Sequence, residues 1–302
     1  MIFTRPSSGK VIRKKVLFMN TNENKNIWVE KVKNNLEMGG RSISTIYNYQ
    51  YAINRFLNYY DEDIDIASFN ESNIIDYVMK NFIEKNLSVN TYNLHICSIK
   101  LFYIVCFNKT FSDKLLPRSK TAKRLPIIIS KEKFLEMVNG ESDIEHKCWL
   151  LLSFCCGLRV EEVAKLKIQD INSNNHKLKV SGKRNKERYT ILPDIVIKFL
   201  RLYYKEKRFT KKKGYLFEGL AKREHCSPKS IINYFTLLKK KYNLDDSISF
   251  HSLRHSFATY FISNGGDLFV LKSMLGHSSI STTSIYVHIA KDFNNLEGIK
   301  YA

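Results

Sequence analysis

The sequence predicts a mainly α-helical protein of two domains, the second of which carries one small β-sheet. Its 302 residues are enough for two domains of ordinary size. Residues 24–111 and most of residues 129–302 place apolar side chains at helical spacing, whereas residues 176–193 alternate around a turn as a β-hairpin does. Residues 112–128 combine prolines with basic side chains, which is typical of a linker.

The segment before the first domain, residues 1–23, is predicted to be flexible and basic. It lacks the long apolar core and small-residue cleavage site of a signal peptide. Nowhere does the chain approach the roughly 18 consecutive apolar residues of a membrane-spanning helix, so we expect no membrane partner. The six cysteines form no CxxC pair, and we interpret them as buried thiols of a cytoplasmic protein, without a zinc site.

Four helices are predicted in the first domain, and a small bundle is the expected arrangement. The first helix spans residues 24–37, and the second follows Ser44 as its N-cap. The third covers residues 71–86, with apolar side chains on one face. The fourth begins after either Ser88 or Asn90, because both residue types cap helices well.

In the second domain, residue types that begin or end helices separate the predicted elements. Ser130 is a predicted N-cap, and the apolar run HKCWLLLSFCC predicts a buried helix that ends in a tight step at Gly157. A turn at Ser181 and Gly182 joins the two strands of the hairpin, and Pro193 opens the next helix. The predicted apolar positions of the hairpin are Leu178, Val180, Tyr189, Ile191 and Leu192.

The charge of the chain indicates a polyanionic partner. Lysine and arginine number 49 against 29 acidic residues, which gives a net charge of +20. DNA is the leading candidate partner, although RNA-binding and chromatin proteins share such a composition. The linker at residues 112–128 either follows a phosphate backbone or is a solvated connector.

Two short motifs could hold a phosphate. In HSLRHSF, His251 and Arg254 are three residues apart and share one face of a helix, where guanidinium and imidazole can clamp one phosphate. In CGLRVEEV, Glu162 lies three residues after Arg159 and could hold that arginine in place. Each motif also has a plainer interpretation, as a polar surface or as an ordinary salt bridge.

The hairpin turn and the C-terminal phrase add two more candidates. Basic residues flank the turn, and one of its lysines, Lys183 or Lys186, could reach a phosphate or a leaving oxygen. Taken alone, such a turn is equally consistent with a solvated hairpin. In LGHSSISTTSIYVH, His277 stands nine residues before Tyr286, a tyrosine that could act as a nucleophile.

The order of these motifs is more specific than any one of them. The stretches CGLRVEEVAKL, SGKRNKER, HSLRHSFAT and LGHSSISTTSIYVH follow one another in the second domain. With this order and spacing, the sequence resembles the tyrosine site-specific recombinases, the integrase family that includes Xer-type and phage integrases. The resemblance covers about residues 24–290. It implies a helical core-binding bundle followed by a C-terminal catalytic domain.

The resemblance implies a set of residues that hold the scissile phosphate. Arg159 and Arg254 match the two arginines that grip it, and Glu162 matches the acidic residue that supports the first of them. His277 matches the second histidine of the site, which donates a hydrogen bond to the phosphate.

It also implies the residues that move protons and make the covalent bond. Tyr286 matches the nucleophile, and Lys183 matches the hairpin lysine that protonates the departing 5′ oxygen. His251 matches the histidine that assists proton transfer. Because Arg184 replaces a frequent glycine of the hairpin, Lys186 stays an alternative to Lys183.

The implied reaction forms a 3′-phosphotyrosyl intermediate and a Holliday junction, with neither a metal ion nor another cofactor. Its expected substrate is a double-stranded DNA recombination site, and a homotetramer would assemble on two such sites. The tail that follows Tyr286 would dock on a neighbouring subunit, and an accessory protein could activate the enzyme. The 23 residues before the bundle favour a two-domain Xer-like recombinase over an integrase with an additional arm-binding domain. Chromosome-dimer resolution and integration or excision of a mobile element are both open.

Two other functions compete with this interpretation. A type IB topoisomerase shares the nucleophile and relaxes DNA without exchanging strands between sites. A non-catalytic, architectural DNA-binding protein accounts for the charge but leaves the ordered catalytic set unexplained.

Overall fold

The computed structural model describes residues 22–61, 64–119, 125–182, 187–207, 213–219 and 224–291. The chain divides into two compact units, Met1–Lys123 and Arg124–Ala302. Parts of four predicted features lie outside the described residues: residues 1–21 of the basic segment, 120–124 of the linker, 183–186 between the hairpin strands, and 292–302 of the tail after Tyr286. Among the described helices, none is both long and apolar enough to cross a membrane.

The first unit is a helical bundle with an aromatic core. Phe56 lies at its centre, fully buried, with the rings of Tyr77, Phe102 and Tyr103 packed edge-on at centroid distances of 5.0 to 6.2 Å. Edge-on packing brings the positive rim of one ring to the negative face of another. The α-helices are α1 (Asn22–Met38), α2 (Ile43–Leu57), α3 (Glu71–Val78) and α4 (Val89–Phe107).

Two predicted helix starts in this unit are decided by hydrogen bonds. Ser88 caps α4, because its hydroxyl accepts the backbone N–H of Thr91 at 3.2 Å. The predicted cap Ser44 is wrong: Ser42 caps α2 and accepts the N–H of Thr45 at 3.3 Å, so that Ser44 already lies within the helix.

The third predicted helix is interrupted. A π-helical turn, Met79–Ile83, follows α3, where a continuous α-helix over residues 71–86 was predicted. A π turn holds one residue more than an α turn and therefore rotates the following side chains around the axis. Ile83, predicted on the buried face, is accordingly 53% exposed, while Phe82 is 1% exposed.

The second unit is mainly helical around a three-stranded antiparallel sheet. The strands are β1 (Ile171–Asn172), β2 (Lys177–Ser181) and β3 (Glu187–Ile191). The larger helices are α5 (Lys131–Asn139), α6 (Ile144–Cys156), α8 (Asp194–Glu206), α9 (Pro228–Lys241) and α10 (Phe250–Ser263). The shorter helices are α7 (Val160–Ala164), α11 (Leu268–Leu275), α12 (Ile280–Thr283) and α13 (Ile285–Lys291).

The hairpin forms as predicted, but its turn does not begin at Ser181. That residue ends β2 and pairs with Glu187 of β3. The inward face of the second strand also differs from the prediction. Leu178 and Val180 of β2 are buried, as expected. On β3, Thr190 points inward and donates a hydrogen bond to the carbonyl of Cys156 at 2.8 Å, whereas Tyr189 is 59% exposed. Because side chains alternate along a strand, burial of Thr190 opposite Leu178 directs Tyr189 outward.

Candidate active site

Arg254 lies at the centre of the candidate site. Its side chain on α10 is 1% exposed. Nη1 donates to the carbonyl of Gly157 at 2.5 Å, and Nη2 donates to the carbonyl of Leu275 at 2.6 Å. These carbonyls lie at the C-terminal ends of α6 and α11, where the helix dipole is negative and stabilises a cation. Burial, with the nearby charge of Arg159, lowers the pKa of Arg254 to about 9, so the guanidinium stays charged at neutral pH.

The tight step at Gly157 makes this arrangement sterically feasible. Gly157 ends α6 with a left-handed backbone, at a φ of +69°. A Cβ atom at this position would lie 2.5 Å from a ring carbon of the buried Phe257. Glycine is therefore required for both the backbone conformation and the close approach of α10.

Glu162 is the buried carboxylate that gathers the arginines of the site. Its oxygens accept hydrogen bonds from Arg188 at 2.7 and 2.8 Å and from Arg159 at 3.0 Å, and Arg254 lies 3.6 Å away. Burial alone would raise the pKa of Glu162, but its hydrogen bonds and the charge of Arg188 outweigh burial and lower it. Glu162 is consequently ionised at neutral pH.

Arg159 occupies the N-cap of α7 and is the more accessible arginine. Its backbone N–H donates to Glu162 at 2.7 Å, and its Nη1 also lies within 3.4 Å of the carbonyl of Leu275. The side chain of Arg159 is 39% exposed to solvent. Glu162 thus fixes the orientation of the Arg159 side chain, which can still bind an anion from solvent.

His277 follows the left-handed Gly276 that ends α11, and it contacts Arg254 directly. Its Nε2 lies 3.3 Å from Nη2 of Arg254, and its Nδ1 lies 3.0 Å from the hydroxyl of Thr283. Burial and the charge of Arg254 lower the pKa of His277 to about 4, so the ring is neutral. Because arginine only donates, Nε2 accepts here and Nδ1 carries the proton. To donate a hydrogen bond from Nε2 to a phosphate, His277 would have to carry a proton on Nε2 and give up its contact with Arg254.

Tyr286 lies on α13 with its ring buried. The side chain is 3% exposed and packs in a cluster with Phe257 and Leu271. Its hydroxyl lies 2.9 Å from Nδ1 of His255. Burial raises the pKa of Tyr286, although the charges of Arg254 and Arg159 oppose that rise. The phenol is therefore protonated in this structure.

His251 shares α10 with Arg254 but sits at the surface of the protein. Its ring packs edge-on against that of His255, with centroids 4.5 Å apart. Partial desolvation and the charges of Arg254 and Arg159 lower the pKa of His251. Lys183 and Lys186 lie outside the described residues, so their roles stay predictions.

Three residues of this site did not emerge as individual candidates from the sequence. Arg188 appeared there only as one charge of a basic hairpin, and His255 and Thr283 were not singled out. The signal for His255 was its position four residues after His251, on the same face of a helix. No comparable local signal connects Arg188 with Glu162.

Arginine side chains supply the positive charge of the site, and the carboxylate of Glu162 balances it. Within the described ranges, no group of three or more histidine, cysteine or acidic residues could hold a metal ion. The expectation of a cofactor-free reaction stays a prediction.

The family of the chain follows from its similarity to known proteins. Residues 130–292 match the model of the phage integrase family, and residues 28–112 match the phage integrase N-terminal SAM-like domain. The chain belongs to the phage integrase family. Tyrosine recombinase XerD of Staphylococcus aureus is 30% identical to this integrase family member over 268 residues, 83% of this chain and 90% of the relative. XerD of Staphylococcus epidermidis is 29% identical over the same length.

This phage integrase family member is thus a tyrosine recombinase of Xer type, an enzyme that cleaves and rejoins DNA strands. Solved structures share its fold. XerH bound to its palindromic difH substrate aligns with a TM-score of 0.71 at 19% identity, covering 92% of this chain and 88% of that one. A lambda integrase dimer on a COC′ core site gives 0.69 at 16% identity, covering 92% and 99%. The predicted mainly helical fold with one small sheet is confirmed.

Proposed function

We propose that this site-specific recombinase cleaves double-stranded DNA by attack of Tyr286 on a phosphodiester held by Arg159, Arg254 and His277. The observation that carries the proposal is the gathering of two arginines around one carboxylate, Glu162, with His277 3.3 Å from Arg254. Two guanidinium groups and an imidazole, held in place by these contacts, suit the negative charge that grows on phosphate oxygens during attack.

The proposed chemistry needs one new bond and one broken bond at phosphorus. The phenol oxygen of Tyr286 bonds to phosphorus, and the bond to the 5′ oxygen breaks. Lys183 supplies the proton that the departing 5′ oxygen takes up, with Lys186 as the alternative, and His251 assists proton transfer. The 3′-phosphotyrosyl bond retains the energy of the broken phosphodiester. A 5′-hydroxyl of another duplex can therefore reverse the reaction, and one exchanged pair of strands makes a Holliday junction.

The partners follow from this chemistry and from the relatives. XerH and lambda integrase have been solved on their DNA substrates, which supports a recombination site in duplex DNA as the substrate here. Exchange between two sites requires four cleavages, and we propose a homotetramer in which the tail after Tyr286 contacts a neighbouring subunit. An accessory activator protein and a cytoplasmic location belong to the same proposal.

The biological role is either chromosome-dimer resolution or integration and excision of a mobile element. Similarity to the XerD recombinases supports an Xer-type site-specific reaction in both cases. Recombination of plasmids that carry sequences from the replication terminus, or from DNA flanking the gene, separates the two roles.

The test uses a nicked suicide duplex that carries a candidate recombination site. Loss of the short 5′-hydroxyl fragment prevents religation and traps the covalent complex. We expect a DNA-linked protein band with wild type and no band with Tyr286→Phe, and mapping of the linked peptide should identify Tyr286. Linkage at another residue would refute the nucleophile. Relaxation of plasmids at any sequence, without exchange between sites, would favour the topoisomerase.

Substitution of each hairpin lysine identifies the general acid. A 5′-bridging phosphorothiolate leaves without protonation, so it should restore cleavage to the variant that lacks the acid. We expect restoration for Lys183→Ala. Restoration for Lys186→Ala instead would assign the role to Lys186.

A further inference from the structure

We propose that His255 is a further catalytic residue, which accepts the phenol proton of Tyr286 during attack on the DNA phosphate. This inference rests on the proposed function of Tyr286 as the nucleophile. The family resemblance gave His251 a part in proton transfer and left His255 without a role.

The contact between the two residues is direct. Nδ1 of His255 lies 2.9 Å from the hydroxyl of Tyr286, and the two rings are 5.8 Å apart. Tyr286 is 3% exposed, so bulk water has little access to its proton. Within the described residues, His255 is the hydrogen-bond partner of this hydroxyl. A base for the phenol must lie within hydrogen-bond reach of it, and His255 does.

The position of His255 on α10 places it between the nucleophile and the surface. It directly follows Arg254, and its ring meets that of His251 edge-on at 4.5 Å. His251 is exposed and His255 is half-buried. The imidazole that contacts Tyr286 therefore has an open neighbour through which a proton could return to solvent.

The proton of the phenol moves to Nδ1 of His255 while the oxygen of Tyr286 bonds to phosphorus. The electron pair of the breaking bond passes to the 5′ oxygen, which takes its proton from the hairpin lysine. Religation runs the same path backwards, and His255 returns the proton to the phenol. The step requires the tautomer of His255 that carries its proton on Nε2.

The electrostatic surroundings keep the ring of His255 neutral before DNA binds. Burial and the neighbouring His251 lower the pKa of His255 to about 4, with further contributions from Arg254 and His277. The imidazole is thus neutral at neutral pH, and Nδ1 can accept in the tautomer that carries the proton on Nε2. Bound DNA phosphate brings negative charge to Arg254 and Arg159, and so favours an imidazolium at His255 at the moment of attack.

Two substitutions separate proton transfer from mere positioning. His255→Asn keeps a polar atom close to the place of Nδ1 but cannot accept the proton, and His255→Phe removes both properties. The rate of covalent-complex formation would be measured in single turnover on the nicked duplex. We expect about a 100-fold loss for His255→Asn and at least as large a loss for His255→Phe.

Cleavage of a duplex with a different leaving group gives a second measurement, which separates proton transfer from a purely structural role of His255. On the 5′-bridging phosphorothiolate duplex, Lys183→Ala should recover whereas His255→Asn should stay slow, because the nucleophile still lacks its base. Wild-type rates for His255→Asn would overturn the proposal and leave His255 a positioning residue. Recovery of His255→Asn on the phosphorothiolate would also overturn it, since His255 would then act on the leaving group.

Controls distinguish this inference from the proposed function. His176→Asn changes an exposed histidine of the same unit, and it should cleave like wild type. Melting temperature and DNA affinity would be compared for every variant, and His255→Gln replaces His255→Asn in the test if the latter does not fold. If wild type forms no complex through Tyr286, the proposed function fails. If wild type forms it and His255→Asn forms it equally fast, only the present inference fails.

Discussion

The guanidinium of Arg188 on β3 donates to both carboxylate oxygens of Glu162 on α7, at 2.8 and 2.7 Å. Its Nε also donates to the carbonyl of Met274, at 2.6 Å. This two-pronged bond is geometrically specific and, at 8% and 7% side-chain exposure, well shielded from water. The hairpin that carries Lys183 is therefore tied at its base to the carboxylate that also orients Arg159.

Arg188→Lys should slow DNA cleavage with little effect on DNA binding. A lysine keeps the positive charge but cannot form the two-pronged bond, so the base of the hairpin would shift relative to Arg159. We expect a loss of about 10- to 100-fold in the rate of covalent-complex formation, because small displacements in a catalytic site have effects of that size. Arg201→Lys, at an exposed position on α8, is the matched control and should leave the rate unchanged. Equal rates for both variants would contradict the coupling.

Glu162→Gln should destabilise the second unit. The substitution leaves Arg188 and Arg254 buried without the anion that balances them, which typically costs about 3 kcal/mol or more of unfolding free energy. Urea denaturation measures the loss. Glu136→Gln removes an exposed partner of Lys133 and should cost less than about 1 kcal/mol. A comparably small loss for Glu162→Gln would show that the carboxylate does not balance the arginines.

Gly157→Ala should lower both stability and cleavage. The new methyl group would meet Phe257, and the left-handed backbone would be strained, for a combined loss of about 2 to 4 kcal/mol. Gly265→Ala shares the positive φ, at +81°, but its methyl group would meet nothing within 4 Å. We therefore expect Gly265→Ala to lower the melting temperature less and to cleave normally. Similar melting temperatures would exclude the predicted clash.

The first unit should lose stability in acid through His95. This histidine is 1% exposed, and its Nδ1 has no hydrogen-bond partner among the described residues. Burial, with a contribution from Arg55, lowers its pKa from 6.5 to about 4. Between these values the unfolded chain binds a proton that the folded unit does not. Stability is therefore full above pH 6.5 and declines as the pH falls toward 4.

The measurement compares His95→Leu with its parent in a Trp149→Phe background, where Trp28 reports on the first unit. From pH 7 to pH 4, the parent should lose about 3 kcal/mol more unfolding free energy than His95→Leu. Identical losses would assign the acid sensitivity to other groups.

The features that the sequence predicted correctly are those that one short segment determines. The cap of Ser130, the step at Gly157 and the burial of Leu178 depend on neighbours a few residues away. The prediction failed at Ser44 because two serines compete to cap α2, and periodicity does not choose between them. The π turn after α3 escaped prediction because the same apolar pattern fits a continuous α-helix.

The candidate site was predictable only in part for a different reason. Among the described residues, the ordered motifs named Arg159, Glu162, His251, Arg254, His277 and Tyr286. Polar contacts around Glu162 and Arg254 link Arg159, Glu162, Arg254 and His277, but neither His251 nor Tyr286. The pairing of Arg188 with Glu162 depends on where the hairpin packs, which no local pattern specifies. The burial of Tyr286 against α10 likewise arises from packing between distant segments.

Arg254 is held by the carbonyls of Gly157 and Leu275 rather than by side chains alone. Every amino acid carries a main-chain carbonyl, so the bond to position 275 does not depend on a polar side chain there, and Leu275 itself packs in the core. Both α6 and α11 must still end at residues that tolerate a left-handed backbone. An engineer who wishes to retarget this recombinase should therefore leave both helix ends intact, together with Glu162 and His277 beside Arg254.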